Sequence, residues 1–497
     1  MGEAEFFNCK VTANDVLQDK EKKMETENKL KRKYGFVMAV CMIVGVVIGS
    51  GIFFRNEDVI RAVQGNLFMG LGAWIVGGLI MLAFAYTFAV LATRHEKMSG
   101  MTDYADAMVG KRYGYFLSWF MALFYIPAIT AVMAWVSARF TVELFGWNAS
   151  PVFSGQTMML AGVYLIAIYV MNALGPKLAA RFHVSTTVIK LIPLLLMGVV
   201  GLIVGLARGT IGSNYGATLP DMGYVANPFF LALVATAFAY DGWWVITSMN
   251  SEIKNSRRNM PMAMIVGGII IIAVYAIYFI GIYSSGNIAD LARAGGVMGA
   301  FTGIFGSAAG TVLFVFIVIS CLGTLNGVTM AGQRAFYALA IRKKGPGQEL
   351  FIQVDKKTNV PHNSALMSLL VAVIALMLFG GNFAGWYGWA PGDGPMPVDL
   401  PGFAPITFWA FLVPILIGMM IKQRDLNFFN RFIAPGAAIA GCIFMIYAAV
   451  DIHRLNVVWY LLAFGVIMGI GALFLLKKDR AEDAVAAEEM VVEEAAE

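Results

Sequence analysis

Apolar residues fall along this chain in blocks of about 20, separated by shorter segments that hold most of the charge. A helix of that length crosses the ~30 Å hydrocarbon layer of a bilayer. Twelve blocks fit, at roughly 35–64, 67–92, 113–140, 157–174, 182–206, 227–250, 261–283, 305–340, 362–380, 403–421, 432–450 and 457–476. Several are longer than a bilayer needs, which implies tilt, breaks or extension beyond it. Two blocks are interrupted where an unbroken helix is expected. In span 1, "VGVVIGSGIFF" places Gly49, Ser50 and Gly51 near the middle, with Arg55, Glu57 and Asp58 just beyond. In span 6, "FAYDGW" from Phe238 to Trp243 puts Asp241 and Gly242 inside the apolar run. An odd number of crossings separates these spans, so the two breaks traverse the membrane in opposite senses.

Backbone groups freed at membrane depth are tolerated only where they line a cavity or are buried in protein. Small residues also allow close helix packing, and either segment alone fits that use. Paired breaks in oppositely oriented halves instead point to an inverted-repeat carrier with its site at the midplane. The amide end of a half-helix attracts a carboxylate, and freed carbonyls suit an ammonium group. A site offering both fits a zwitterionic α-amino acid. Arg55, Glu57 and Asp58 would then face an outer aqueous vestibule.

Composition narrows the class. The chain has 497 residues, 59% hydrophobic and 13% charged, against about 45–50% and about 25% for soluble domains. It reads as a polytopic membrane protein. With the N-terminus inside, 28 of the 36 Lys and Arg lie in inner segments and 5 in outer ones, which places both termini in the cytoplasm of a plasma (inner) membrane protein. Loop charge of this kind accounts for the net +5 without a nucleic acid partner. The first 33 residues are polar and lack the apolar core of a signal peptide. The acidic end "AEDAVAAEEMVVEEAAE" reads as solvated and disordered. Cys9 lies in the polar tail and Cys41, Cys321 and Cys442 in apolar runs, so no disulfide framework is implied. His95, His183, His362 and His453 are scattered near span ends without metal-ligand spacing. No nucleophile–base pair stands out, so the expectation is a non-enzyme with no cofactor and no metal.

Three stretches carry a family resemblance: "GSGIF" in span 1, "FAYDGWWVITSMNSEIKNSRRNMP" from span 6 to span 7, and "SCLGTLNG" in span 8. In this order they resemble the amino acid–polyamine–organocation superfamily, in its branch of L-type amino acid transporters and bacterial serine/threonine exchangers. The resemblance implies an all-α fold of twelve transmembrane helices, a leucine-transporter-type five-plus-five inverted repeat with helices 1 and 6 broken, and alternating access. The chain then divides into a tail (1–33), a first repeat (34–226), an inverted second repeat (227–421), two extra helices (422–476) and an acidic tail (477–497). Ile48, Gly49, Ser50 and Gly51 would bind the substrate carboxylate and part of its amino group. Phe238, Ala239 and Tyr240 would add carbonyls, with the Phe238 ring as a lid. Animal L-type members hold a glycoprotein subunit through a cysteine between spans 3 and 4; this chain has none there, so no such partner is expected.

The charges within the spans matter most. A lysine at membrane depth costs about 2.5–3.5 kcal/mol on insertion scales, yet Lys190 lies well inside span 5, three residues before Pro193. It either snorkels or reaches the span 1 break. In L-type relatives a lysine here stands where sodium sits in sodium-coupled cousins, bridging helix 1 carbonyls to a helix 8 hydroxyl. Ser320 is the first candidate for that hydroxyl and Thr324 the second, and sodium-independent transport follows. Asp241 fits an N-cap for the inner half of span 6; the alternatives are a contact to a cationic substrate or a coupling carboxylate. Animal L-type members have glycine at this point. Glu252, Arg257, Arg258 and Arg334 gather at the inner ends of spans 6 to 8, either as a gate or as solvated loop charge. Bulky residues near Tyr125, Trp243 and Trp409 suggest a small side-chain pocket. The reading is therefore an exchanger of L-amino acids, small and neutral ones first, with proton-coupled or cationic transport as the alternative. A non-transporting sensor would need a larger cytoplasmic domain than either tail provides.

Overall fold

The computed structural model describes residues 32–49, 51–95, 100–147, 154–215, 219, 227–293, 295–342, 345–383, 400–453 and 456–494. All twelve apolar blocks are helical, and among the described residues the only β pairing is one bridge, Tyr34 to Ile253. Span 1 is split into α1 (Phe36–Val47) and α2 (Gly51–Ala62). Span 2 is α3 (Leu67–Arg94), begun by Asn66, whose side chain accepts from the Met69 amide as an N-cap should. A short α4 (Met101–Met108) precedes span 3, which runs as α5 (Lys111–Phe120), a π turn (Met121–Tyr125) and α6 (Ile126–Leu144). Spans 4 and 5 are α7 (Gly155–Leu174) and α8 (Pro176–Arg208). Span 6 starts as α9 (Pro228–Ala237), tightens to a 3₁₀ turn (Phe238–Tyr240), turns at Asp241 and Gly242, and resumes as 3₁₀ helix (Trp243–Glu252). Span 7 is α10 (Ser256–Ser285), and α11 (Gly296–Phe305) lies in the loop that follows. Span 8 is α12 (Ser307–Gly332) continued by α13 (Ala335–Ala340). The remaining spans are α14 (His362–Phe383), α15 (Leu400–Lys422), α16 (Ala434–His453) and α17 (Asn456–Glu494).

The last element corrects one expectation. The acidic end is helical as far as Glu494 rather than disordered. Alanine, glutamate and methionine are strong helix formers, and extending an existing helix avoids the nucleation barrier.

The helices pack as two groups. α10 lies against α3 and α1, while α12 lies against α6 and α7; α8 touches both α10 and α12. Glycines set the closest of these approaches. A Cβ on Gly201 of α8 would run into the backbone of Gly281 on α10, and one on Gly281 into Met197 and Gly198. Outside, the pattern inverts that of a soluble protein: Leu366, Leu370, Ile374 and Leu378 form one α14 stripe and are 58%, 51%, 57% and 52% exposed. Such a stripe suits the hydrocarbon of a bilayer. Nine described helices are long and apolar enough to cross a bilayer, beside shorter apolar ones that include the two split spans. The interior is largely apolar too, but it also holds a charge and large aromatic groups: Lys190, Trp244, Tyr125 and Tyr275 are fully buried.

Candidate functional site

The end of α1 leaves carbonyls without a partner in its own ladder, and side chains from three other spans supply donors. The Lys190 ammonium of α8 donates to the Gly45 carbonyl at 2.8 Å and the Ile48 carbonyl at 2.6 Å. It also reaches the Ser320 carbonyl at 3.1 Å and the Thr324 hydroxyl at 3.3 Å, both on α12. The hydroxyl in this set is therefore Thr324, the second candidate, which also donates to Gly45 at 3.3 Å. Ser320 contributes its carbonyl to Lys190, while its own hydroxyl turns to the Gly49 carbonyl at 3.4 Å. Lys190 does not snorkel: it is 0% exposed.

Tyr275 of α10 was not legible as a site residue. Its hydroxyl lies 3.1 Å from the Val47 carbonyl and 2.9 Å from the Ala239 carbonyl, so one group ties the span 1 break to the span 6 break. Nothing local in "IAVYAIYF" marks it out; only the packing of α10 against both breaks does. His183 was likewise missed. It is fully buried on α8, with Nε2 3.0 Å from the Cys41 carbonyl of α1.

Between the breaks lies a small cavity of about 40 Å³, walled by Gly49, Gly51, Ala239, Asp241, Trp244 and Thr324 among others. Predicted Gly49, Gly51 and Ala239 thus line one cavity, whereas Ile48 is not part of its wall and gives its carbonyl to Lys190. Ser50 and the Phe238 side chain lie outside the described residues, so the proposed lid is not described. Tyr240 contributes no side chain to this cavity. Its hydroxyl donates to the Trp74 carbonyl at 2.7 Å on α3. Trp244, rather than its neighbour Trp243, walls the cavity; Trp243 stacks on Phe84 instead.

Asp241 is not a helix cap, which corrects the sequence reading. The N-cap residue of the inner segment is Gly242, at φ 104°, which has no side chain to cap with. An aspartate one residue earlier does not reach the N2 and N3 amides a cap must satisfy. Its carboxylate accepts instead from the Tyr125 hydroxyl at 3.0 Å. Tyr125 ends the π turn of span 3 and stacks on Phe408, with ring centroids 4.4 Å apart. Single π turns of this kind recur at functional sites because they redirect the side chains that follow.

The charges on either side are more ordered than loop charge. On the side that carries Tyr34, Glu252 and Arg334 form an ion pair with both side chains buried, and Lys33 joins Glu252 at 3.0 Å. Arg257 and Arg258 are exposed. On the opposite side Arg55 pairs with Asp58 at 2.8 Å, half-exposed as a vestibule charge would be. Glu57 departs from that expectation: it is buried and accepts the Val297 and Gly295 amides at 3.1 and 3.2 Å, capping α11. No group of metal-ligating side chains occurs among the described residues.

Comparison with known proteins agrees with this architecture. Residues 34–475 match the amino acid permease family. The serine/threonine exchanger SteT of Bacillus subtilis is 30% identical over 359 residues, 71% of this chain and 79% of that protein. The human cystine/glutamate transporter is 25% identical over 88% of this chain and 78% of its own length. The mouse large neutral amino acids transporter small subunit 2 is 27% identical over 77% of this chain and 76% of its own. A solved nucleobase–cation symporter, Mhp1 in a closed conformation with bromovinylhydantoin bound, shares the fold: TM-score 0.54 at 14% identity, over 87% of this chain and 95% of that one. Two oppositely directed broken helices meeting at a buried cavity, and a family match across nearly all the helical region, make this multi-pass membrane protein a transporter of the amino acid permease family.

Proposed function

We propose that the protein exchanges small neutral L-amino acids across the membrane by alternating access, without sodium. The observation that carries the reading is the Lys190 ammonium, held by two carbonyls of the span 1 break and two oxygens of α12. A fixed cation with oxygen ligands from both helices does the structural work of a bound metal ion, so the site needs no sodium to keep its shape. Freed backbone at Gly49 and Gly51 would take the substrate carboxylate, and the Ala239 region its ammonium. The cavity is small, and Trp244, Ile129 and Met133 narrow it further, which favours a short side chain. The basic inner segments support cytoplasmic termini in a plasma membrane, and the cysteine-free stretch between spans 3 and 4 supports function without a disulfide-linked glycoprotein.

A second reading, transport of a cationic amino acid or coupling to protons, draws on one observation: Asp241 is among the residues that line the same cavity. Proteoliposome uptake of labelled amino acids without sodium or a proton gradient separates the two. Uptake by vesicles preloaded with unlabelled neutral amino acids, and far less by empty ones, is the expected result. Uptake that appears only with an imposed proton or sodium gradient would overturn the exchanger reading.

A further inference from the structure

Another cavity lies beneath the central one, and Trp244 walls both. The flanking helices fix their order. Along span 8 the central cavity meets Thr324 and Val328, and the lower one Ala331 and Arg334. Along span 3 the central cavity meets Ile129 and Met133, and the lower one Met121 and Ser118. The lower space mixes apolar side chains with Thr102, Ser118, Thr247, Ser248, Arg334 and Tyr337. The Thr247 and Ser248 hydroxyls already donate to the Trp244 and Val245 carbonyls; of the others, Ser118 and Arg334 bear on binding. The Ser118 hydroxyl is buried, 1% exposed, and has no hydrogen-bond partner among the described residues. Arg334 also lines the space, and its acidic partner among the described residues is Glu252.

The charges at this end belong to two bodies. Glu252 and Lys33 are tied to each other through the backbone: the Lys33 and Tyr34 amides donate to the Glu252 carbonyl at 2.8 and 2.9 Å, and the Lys254 amide to the Tyr34 carbonyl at 2.8 Å. Arg334 sits across from them at the end of span 8, its guanidinium also bonded to the Met330 carbonyl. If the inner side opens, the first body must separate from the second. Glu252 then leaves with a cation of its own, Lys33. Arg334 stays behind with none, and an uncompensated buried charge strongly opposes the step.

We propose that the lower cavity is a second amino acid site, in which the α-carboxylate of the transported molecule replaces Glu252 on Arg334 and the Ser118 hydroxyl hydrogen-bonds its polar head. The swap makes opening dependent on substrate: a loaded carrier trades one carboxylate for another, whereas an empty one must strand Arg334. This rests on the exchange reading above and supplies its physical cause.

The test uses full-length protein in proteoliposomes, with half-saturation for the same labelled amino acid measured separately from the Tyr34 side and from the opposite side. Ser118→Ala leaves the ion pair intact and tests the cavity alone. Its half-saturation from the Tyr34 side should rise about five- to tenfold, while that from the opposite side stays within about twofold. The double variant Arg334→Gln/Glu252→Gln removes both the cation that would be stranded and its closed-state partner. Its uptake should no longer require preloaded substrate, and its half-saturation from the Tyr34 side should rise by more than tenfold. A pair acting as a simple latch would loosen the requirement for preload without changing that half-saturation. Unchanged Tyr34-side half-saturation in both variants overturns the proposal. Retained substrate binding from the opposite side reports that each variant is folded. If wild-type protein transports no amino acid at all, the exchange reading fails first, and the two failures are distinct.

Discussion

Replacing Lys190 by methionine keeps the side-chain volume and removes the ammonium. Two opposing effects follow. Methionine relieves the burial of a charge, and apolar replacement of buried charged groups is often neutral or stabilising by about 1–4 kcal/mol. Against this, the ammonium has three protons for four oxygens, and the Gly45 and Ile48 carbonyls hold its shortest bonds. Gly45 keeps the Thr324 hydroxyl at 3.3 Å, but Ile48 keeps only the Ser320 hydroxyl at 3.5 Å. One buried carbonyl is thus nearly orphaned and another weakened, a loss of about 2–4 kcal/mol in the ordered form of the break. The two effects nearly cancel in overall stability, but only the second acts on the site. Lys190→Met should therefore melt close to wild type while sodium-free exchange falls about 30- to 700-fold. Thermal unfolding in detergent and proteoliposome exchange measure the two halves. Wild-type exchange by this variant would refute the idea that the ammonium holds the break open.

The other predictions probe different layers. Tyr275→Phe removes the one hydroxyl shared by both breaks and should lower exchange about tenfold, from roughly 1–2 kcal/mol; unchanged exchange would show that the breaks hold their geometry without it. Gly281→Ala puts a methyl group into the backbone of α8 and should destabilise the fold by about 1–3 kcal/mol, read as a lower melting temperature. Asp355, in the loop before α14, accepts the Thr358 amide and hydroxyl and the Lys357 amide, which hold its carboxyl below its usual value. A depressed carboxyl adds stability above the unfolded value near pH 4 and loses it as pH falls through the lower folded value. Asp355→Ala should thus matter at neutral pH and cease to matter in acid, a comparison two melting curves make.

Local physics already carries much of this protein. Span positions follow from apolar length, because a bilayer admits few backbones other than closed helices. The two breaks were visible because Gly49–Gly51 and Asp241–Gly242 are weak helix formers placed where helix is otherwise required. Lys190 was visible because a lysine at that depth demands oxygen ligands. What the sequence did not contain is which groups meet across helices. Thr324 rather than Ser320 offers its hydroxyl to Lys190, although the two lie one turn apart on the same face of α12. Trp244 rather than Trp243 faces the cavity, because Trp243 is taken up by its stack on Phe84 of α3. Asp241 meets Tyr125 through a π turn that no residue in "MALFY" announces. Tyr275 sits in an unremarkable apolar run, and its role exists only because α10 passes both breaks. Glu252 and Arg334 are 82 residues apart, and only folding decided that they would be a buried pair rather than charges in water. Periodicity and insertion energetics act along one helix and so can be read from the chain. Partner choice is set by how rigid helices rotate and slide against one another, and that is fixed only when all of them pack together.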